Sequence, residues 1–303
     1  MLVDWISIAV LSTVILGLVS ILDSHLISKR LPSLSAFLLP VAPMTLVFGI
    51  IFSFLYPLPE DLSSWPLMVA VASAILRISS IIILLYTLKR EEVSRVVPVV
   101  STYPIFVAIM AIPLLAETLG YLQWTAIIIV VAGAVMVSVK RSPGGSTSWL
   151  GATFLLLSGS SLLMAVADVT SKYALGYISS WNIYWISLLT TSIIFLFISL
   201  RPRVIRELTN IKQPASTLVL LVFKEALAMT GIAMMFWAMK LGPVSLVSAI
   251  TSSRPIFVVI YALILNRVRP MFLLEGKSGR GVLAVRLIAT AMIAGGIAII
   301  YIA

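Results

Sequence analysis

The sequence predicts an all-α integral membrane protein of ten transmembrane helices, built as two inverted five-helix repeats. Three observations predict it: an apolar composition, ten apolar runs long enough to cross a bilayer, and motifs repeated at a fixed spacing. Hydrophobic residues fill 61% of 303 positions and charged residues 11%, with a mean hydropathy of +1.15. A water-soluble domain is nearer half apolar and a quarter charged. This chain lacks the polar surface to cover itself in water. In hydrocarbon, only helices and closed barrels satisfy the backbone.

The same composition narrows the chemistry. There is no cysteine, which excludes disulfides, thiolate metal sites and cysteine nucleophiles, and the single histidine, His25, excludes paired-histidine sites. No cofactor or metal is expected. The net charge of +10 does not point to nucleic acid, because the basic residues fall between apolar runs, where topology signals sit. The opening residues Met1-Leu2-Val3-Asp4-Trp5 lack the basic region of a cleavable signal, so the first run is expected to stay in the membrane.

A span needs roughly 17–25 mostly apolar residues. Such runs, bounded by proline, glycine and charge clusters, are predicted at 5–27, 34–56, 66–88, 94–116 and 120–139, then at 149–171, 181–200, 215–239, 243–265 and 281–302. The Ser/Pro/Gly-rich stretch 143–148 is the linker between a first repeat, 1–142, and a second, 149–303. It is short, which favours halves packed together in one membrane.

Loop charge alternates. Loops after odd-numbered runs hold Lys29 and Arg30; Lys89, Arg90 and Arg95; Lys140 and Arg141; Arg201, Arg203, Arg206 and Lys212; and Arg267, Arg269, Lys277 and Arg280. The other side has Lys172 and Lys240, with Glu60, Asp61 and Glu117 beside them. The positive-inside rule then puts the odd loops in the cytoplasm and both termini outside the plasma membrane.

Two blocks recur in order. Tyr86-Thr87-Leu88-Lys89 through Val93-Ser94 aligns with Trp237-Ala238-Met239-Lys240 through Val244-Ser245, and Ser101-Thr102-Tyr103-Pro104-Ile105-Phe106-Val107 aligns with Ser252-Ser253-Arg254-Pro255-Ile256-Phe257-Val258. Weaker echoes join Ser28-Lys29 to Ser171-Lys172, and Val131-Ala132-Gly133-Ala134 to Ile293-Ala294-Gly295-Gly296. Five crossings are an odd number, so the second copy enters from the opposite face. Inverted repeats of this kind underlie alternating access, with a site near the midplane between the halves.

These residues resemble the drug/metabolite transporter superfamily, in its EamA-like branch of ten-helix proteins. The likeness rests on the aromatic-x-x-Lys end of the third helix and the Ser/Thr-rich fourth helix with its Pro-Ile-Phe. The Leu115-Ala116-Glu117-Thr118-Leu119 turn before Gln123-Trp124 and the Ala-Gly fifth helix complete it. It spans essentially the whole chain. The second half departs from the pattern with Asn266-Arg267 in place of the acidic turn, and the first helix has Gly17 without the family's Trp-Gly pair. The resemblance implies a transporter, most commonly an amino-acid exporter, with both termini cytoplasmic, opposite to the charge reading.

Charges inside spans are costly and mark functional sites. Arg77 lies mid-span in the third run, Lys224 and Glu225 in the eighth, and Arg254 directly before Pro255. Asp168 is placed one turn before the end of the sixth run, and His25 and Asp23 in the matching region of the first. Arg77, Tyr86, Ser101, Tyr103, Trp237, Ser252 and Arg254 are therefore candidate cavity residues; His25, Asp168, Lys224 and Glu225 are candidates for coupling or charge pairing. Pro104 and Pro255 are candidate kinks, for packing or for a cavity, which free the carbonyls of Val100 and Thr251. Small residues four apart, Ala134/Ser138 and Ala291/Gly295, are expected to pack the fifth and tenth helices. Gly276-Lys277-Ser278 imitates a phosphate loop, but Met271 stands where its first glycine belongs.

The expected function is secondary transport of a small polar, anionic or zwitterionic metabolite such as an amino acid, because guanidinium groups bind carboxylate and phosphate in bidentate fashion. A nucleotide-sugar or sugar-phosphate exchanger is the near alternative. A lipid-transferring enzyme would need an acidic metal cluster that this chain lacks, and a static pore fits inverted halves poorly. The expected partners are a small-molecule substrate, the bilayer, and a coupling proton or exchanged metabolite, with the chain a monomer or weak dimer.

Overall fold

In a computed structural model that describes residues 4–88, 96, 99–138, 152–211, 213–268 and 280–303, the apolar runs are helices. The linker 143–148, the basic residues Lys89, Arg90, Arg95, Lys140, Arg141, Lys212, Arg269 and Lys277, and the Gly276-Lys277-Ser278 motif lie outside the described residues. Among the described residues, seven helices are long and apolar enough to cross a membrane and three shorter apolar helices accompany them, ten apolar helices in the predicted order. The first half comprises α1 (Trp5–His25, continued by a π-helical turn Leu26–Arg30), α2 (Leu34–Leu55), α3 (Ser64–Leu88), α4 (Tyr103–Leu115) and α5 (Tyr121–Ser138). The second comprises α6 (Ala152–Leu175), α7 (Ser180–Ser199), α8 (Pro202–Thr209), α9 (Pro214–Leu241), α10 (Val244–Ser252), α11 (Arg254–Val268) and α12 (Arg280–Ile302).

Polar residues at the run boundaries start these helices. The Asp4 carboxylate accepts from the Ile6 N–H at 3.4 Å, and the Ser33 hydroxyl from the Ala36 N–H at 3.1 Å. Ser179 and Asn182 form a reciprocal capping box. Pro202 and Pro214 open α8 and α9, where a missing N–H costs nothing.

Two boundaries differ from the predicted runs. Helix α6 continues to Leu175, so Asp168 sits about two turns inside its helix end rather than one. Helix α8 has no predicted counterpart. It is an eight-residue amphipathic segment with Val204 buried and Arg203, Ile205 and Arg206 exposed. A search for long apolar runs cannot find such a helix.

The prolines are also corrected. Neither kinks a continuous helix; each is the second residue of a new one, after a break. Thr102 (φ −84°, ψ −7°) and Ser253 (φ −74°, ψ −1°) form the two breaks with nearly the same backbone. The Thr102 N–H and hydroxyl both donate to the Val99 carbonyl, at 3.2 and 2.7 Å. Those of Ser253 donate to the Ile250 carbonyl at 3.0 and 2.6 Å. The hydroxyls of Thr102 and Ser253 therefore serve the carbonyls of Val99 and Ile250 rather than those of Val100 and Thr251, while the Ser253 N–H is shared between Ile250 and Thr251. Val99 stands to Ile250, and Thr102 to Ser253, at the spacing that relates Pro104 to Pro255. Local geometry, and not only the motif, is repeated.

The major helix interfaces all cross between the halves. Helix α3 packs on α6 as α1 packs on α9, α4 on α6 as α11 on α1, while α2–α7 and α5–α12 each join a helix to its own counterpart. Exchanging the halves leaves this pairing unchanged, as a pseudo-two-fold axis requires. Equivalent carbonyls bear it out: Ser80 O accepts the Ser160 hydroxyl at 3.0 Å, and Gly231 O accepts the Ser12 hydroxyl at 2.7 Å.

The α5–α12 contact is close, but not through the expected Ala291 and Gly295, which face outward. A Cβ on Gly133 would lie 2.8 Å from Ile293 Cγ1, and one on Gly296 2.5 Å from Val130 Cγ2, with Ala134 and Ala289 fully buried between. Phe54, Tyr121, Phe197 and Ile302 face outward, as side chains in contact with lipid do.

Candidate functional site

Six carboxylate, ammonium and guanidinium groups whose side chains are described lie inside spans and gather at the centre: Asp23, Arg77, Asp168, Lys224, Glu225 and Arg254. The helix pairing gathers them. On the α3–α6 interface Arg77 Nη1 lies 2.9 Å from Asp168 Oδ1, and Nη2 donates to the Ser171 hydroxyl at 3.2 Å. Met164 Sδ (3.8 Å) and the ring of Phe236 (5.2 Å to its centroid) complete the surroundings of this guanidinium. On the related α1–α9 interface Lys224 Nζ lies 3.1 Å from Asp23 Oδ1 and 2.7 Å from Glu225 Oε2, with the ring of Phe37 4.5 Å away. Each interface thus joins a cation from the third helix of one half to an acid from the first helix of the other.

The helix breaks bring the repeat-equivalent residues Tyr103 and Arg254 between these clusters. Tyr103 donates its hydroxyl to the Ser248 carbonyl at 3.3 Å. Arg254 lies within electrostatic reach of Tyr103, Asp23, Asp168 and Arg77. Its buried Nε has no hydrogen-bond partner among the described residues, and neither has the Nε of Arg77. Buried donors without partners are rare and costly. Here two of them belong to cations at the centre of the bundle.

The face that carries the chain termini is latched. Lys172 near the end of α6 donates to the carbonyls of Met239 (2.6 Å) and Gly242 (2.8 Å), which end α9. Lys240 of α9 donates in return to the carbonyls of Leu175 and Ile178, which end α6. Each lysine covers the other helix's orphan acceptors and negative dipole end. Glu117 accepts from the N–H groups of Val244 (2.6 Å) and Ser245 (3.3 Å) and from the Ser245 hydroxyl (2.5 Å), capping α10. Ala116, left-handed at φ 53°, aims this carboxylate as it ends α4. A cleft of about 600 Å³ beside the latch is lined by Glu117, Lys172, Tyr173, Gly176 and Tyr177, at the surface and away from the central charges.

The candidates therefore separate. Arg77 with Asp168, Lys224 with Glu225, and Tyr103 with Arg254 come together. Lys224 and Glu225 pair inside the bundle instead of reaching for its surface. Ser101 and Ser252 are buried at the breaks, the latter donating to the Ala249 carbonyl at 2.7 Å. His25 is buried at the end of α1. Tyr86 and Trp237, expected as cavity walls, are 46% and 43% exposed and look outward instead. Phe236, one residue earlier, takes the inner position because α9 turns 100° per residue. Asp23 was named among the charges inside spans but not among the cavity or pairing candidates, and Ser171, Lys172 and Lys240 were not singled out as site residues. An acid in an apolar run is a legible signal for the first, whereas lysines at helix ends look like ordinary surface charges.

The EamA-like transporter family model matches residues 4–139 and 151–274. A crystal structure of a protein 18% identical superposes with a TM-score of 0.68, covering 97% of this chain and 94% of its own. At that identity it speaks for the fold alone. No curated protein matches the sequence. With ten apolar helices, cross-paired halves and a family match over both, the chain belongs to the EamA-like transporter family, within the drug/metabolite transporter superfamily, and is an integral membrane transporter.

Proposed function

We propose that the protein is a secondary transporter of a small anionic or zwitterionic metabolite, such as an amino acid, bound between the halves at Arg254, Arg77 and Tyr103. The observation that carries this reading is the half-buried Arg254 side chain at a helix break, whose buried Nε–H donor no described protein group accepts. A carboxylate or phosphate there would accept from Arg254 in the geometry guanidinium favours. Tyr103 supplies an aromatic face and a hydroxyl beside it. The latch of Lys172, Lys240 and Glu117 closes one approach, and its opening would be one half of an alternating-access cycle. The repeats are taken as 1–142 and 149–303, and the face opposite the latch as cytoplasmic from its basic residues.

The test is counterflow in proteoliposomes. Vesicles preloaded with unlabelled amino acids should accelerate uptake of the labelled compound. Acceleration only by a preloaded sugar phosphate or nucleotide sugar would replace the amino-acid reading with exchange of phosphate compounds. Acceleration only by organic cations would remove the anionic site altogether.

A further inference from the structure

We infer that the Asp23–Lys224–Glu225 cluster is a proton site, which takes up one proton when Arg254 is engaged by a bound anion. This rests on the anionic-substrate reading for its role, but the site itself follows from charge counting. Of the six interior groups, Arg77, Lys224 and Arg254 are cations, and Asp23, Asp168 and Glu225 are acids. Three balance three. An uncompensated charge inside the membrane is expensive, so in the ligand-free state these six described groups balance as a set with all six ionised.

The balance is distributed unevenly. Arg77 and Asp168 form a one-to-one pair at 2.9 Å. Lys224 is shared by two carboxylates, at 3.1 and 2.7 Å, so this cluster carries one surplus negative charge. The cation that offsets it is Arg254, which lies within electrostatic reach of Asp23. A bound carboxylate or phosphate would use the same guanidinium, leaving four negative groups against three positive ones. One proton restores neutrality, and the cluster is where it goes, because there two acids compete for one ammonium.

A metal ion is the poorer occupant. Lys224 already fills the space between the carboxylates, and no group of three metal-ligating side chains occurs among the described residues. The charged and titratable groups that interact with the cluster are Asp23 on α1, Lys224 and Glu225 on α9, Tyr184 on α7 and Arg254 on α11, and His25 follows Asp23 by two residues on α1. From α2 comes the ring of Phe37. In the reaction a solvent proton adds to the Asp23 or Glu225 carboxylate, and it leaves again when the anion leaves. A monoanion then travels with one proton, whereas a zwitterion, bringing its own cation, travels without one.

The test needs no substrate. Replacing Arg254 by glutamine removes the compensating cation permanently, as a bound anion would do transiently. In the infrared difference spectrum of reconstituted Arg254→Gln minus wild type at neutral pH, one carboxylic-acid C=O band should appear and one carboxylate band disappear. The gain should be lost in Asp23→Asn/Arg254→Gln and in Glu225→Gln/Arg254→Gln, where one acid again faces one ammonium. It should persist in Arg77→Met/Asp168→Leu/Arg254→Gln, where the neutral Arg77–Asp168 pair is removed whole and two acids still face one ammonium. No acid band in Arg254→Gln, or a band abolished only by removing the Arg77–Asp168 pair, overturns the proposal. If Arg254→Gln does not fold, recovery of folded protein by adding Asp23→Asn or Glu225→Gln supports it; recovery by Asp168→Asn alone, or by none of the three, overturns it. Failure here leaves the anionic-substrate reading standing, because counterflow tests that reading separately.

Discussion

The α3–α6 and α1–α9 interfaces occupy equivalent places in a two-fold arrangement, yet their charges are not equivalent. Arg77 and Asp168 form one pair, held further by the Ser171 hydroxyl. Lys224 answers to two acids. The backbone of the two halves repeats closely, down to the dihedrals of Thr102 and Ser253, whereas the side chains that line the axis do not. Tyr103 stands where its counterpart is Arg254. In the proposed function, symmetry would supply the two exchangeable arrangements that alternating access needs, and asymmetry of charge would supply binding and balance.

The comparison can be broken most sharply at Lys224. Lys224→Met leaves two buried carboxylates facing each other and should cost about 5 kcal/mol, the upper end for breaking a buried pair. Arg77→Met strands only Asp168 and should cost about 3–5 kcal/mol. Unfolding in mixed micelles measures both, and Arg77→Met/Asp168→Leu should recover most of its loss. Equal costs for the two single variants would mean that the second acid contributes nothing. On this account Arg77→Ala impairs folding as well as transport, because its partner is left unpaired.

A smaller effect is expected at the latch. Lys172→Met removes two hydrogen bonds to carbonyls, each worth about 1.5–3 kcal/mol for a charged donor, so the population open on that face should rise at least about tenfold. Labelling reads it directly. The chain has no cysteine, and Ser248→Cys lies fully buried beneath the latch. An impermeant maleimide applied to the terminus-bearing face should label it at least about tenfold faster in Lys172→Met, and an unchanged rate would mean that the lysines do not hold the face shut. The least effect is expected from Ala116→Gly, which relieves a left-handed alanine and should stabilise the protein by about 1 kcal/mol, visible as a small shift in the same unfolding assay.

Much of the architecture was legible because it depends on periodic, one-dimensional signals. Ten apolar runs, the Ser/Thr-Pro motifs and the repeat could be read from spacing alone. What escaped depends on which way a helix is rotated. Trp237 and Phe236 are adjacent in sequence, and only packing decides that Phe236 meets Arg77. Ala291 and Gly295 have the right spacing for close packing, yet Gly296 and Ala289 make the contact. Asp168 was legible as a buried charge, but its partner lies on another helix in the other half, and no local pattern records that. The prolines were visible, while the tight turns before them, in which Thr102 and Ser253 donate to the carbonyls of Val99 and Ile250, were not, because the chain breaks there instead of kinking.

The central claim, that Arg254 awaits an anion, is tested most directly by ligand-induced thermal stabilisation of the purified protein and of its Arg254→Gln/Glu225→Gln variant, which keeps the interior charge balanced. A panel of neutral amino acids, monocarboxylates, sugar phosphates and organic amines should yield stabilising compounds among those bearing a carboxylate or phosphate. The double variant should lose that stabilisation. An organic amine that stabilises both proteins equally, or an anion whose effect survives the loss of Arg254, would contradict the account.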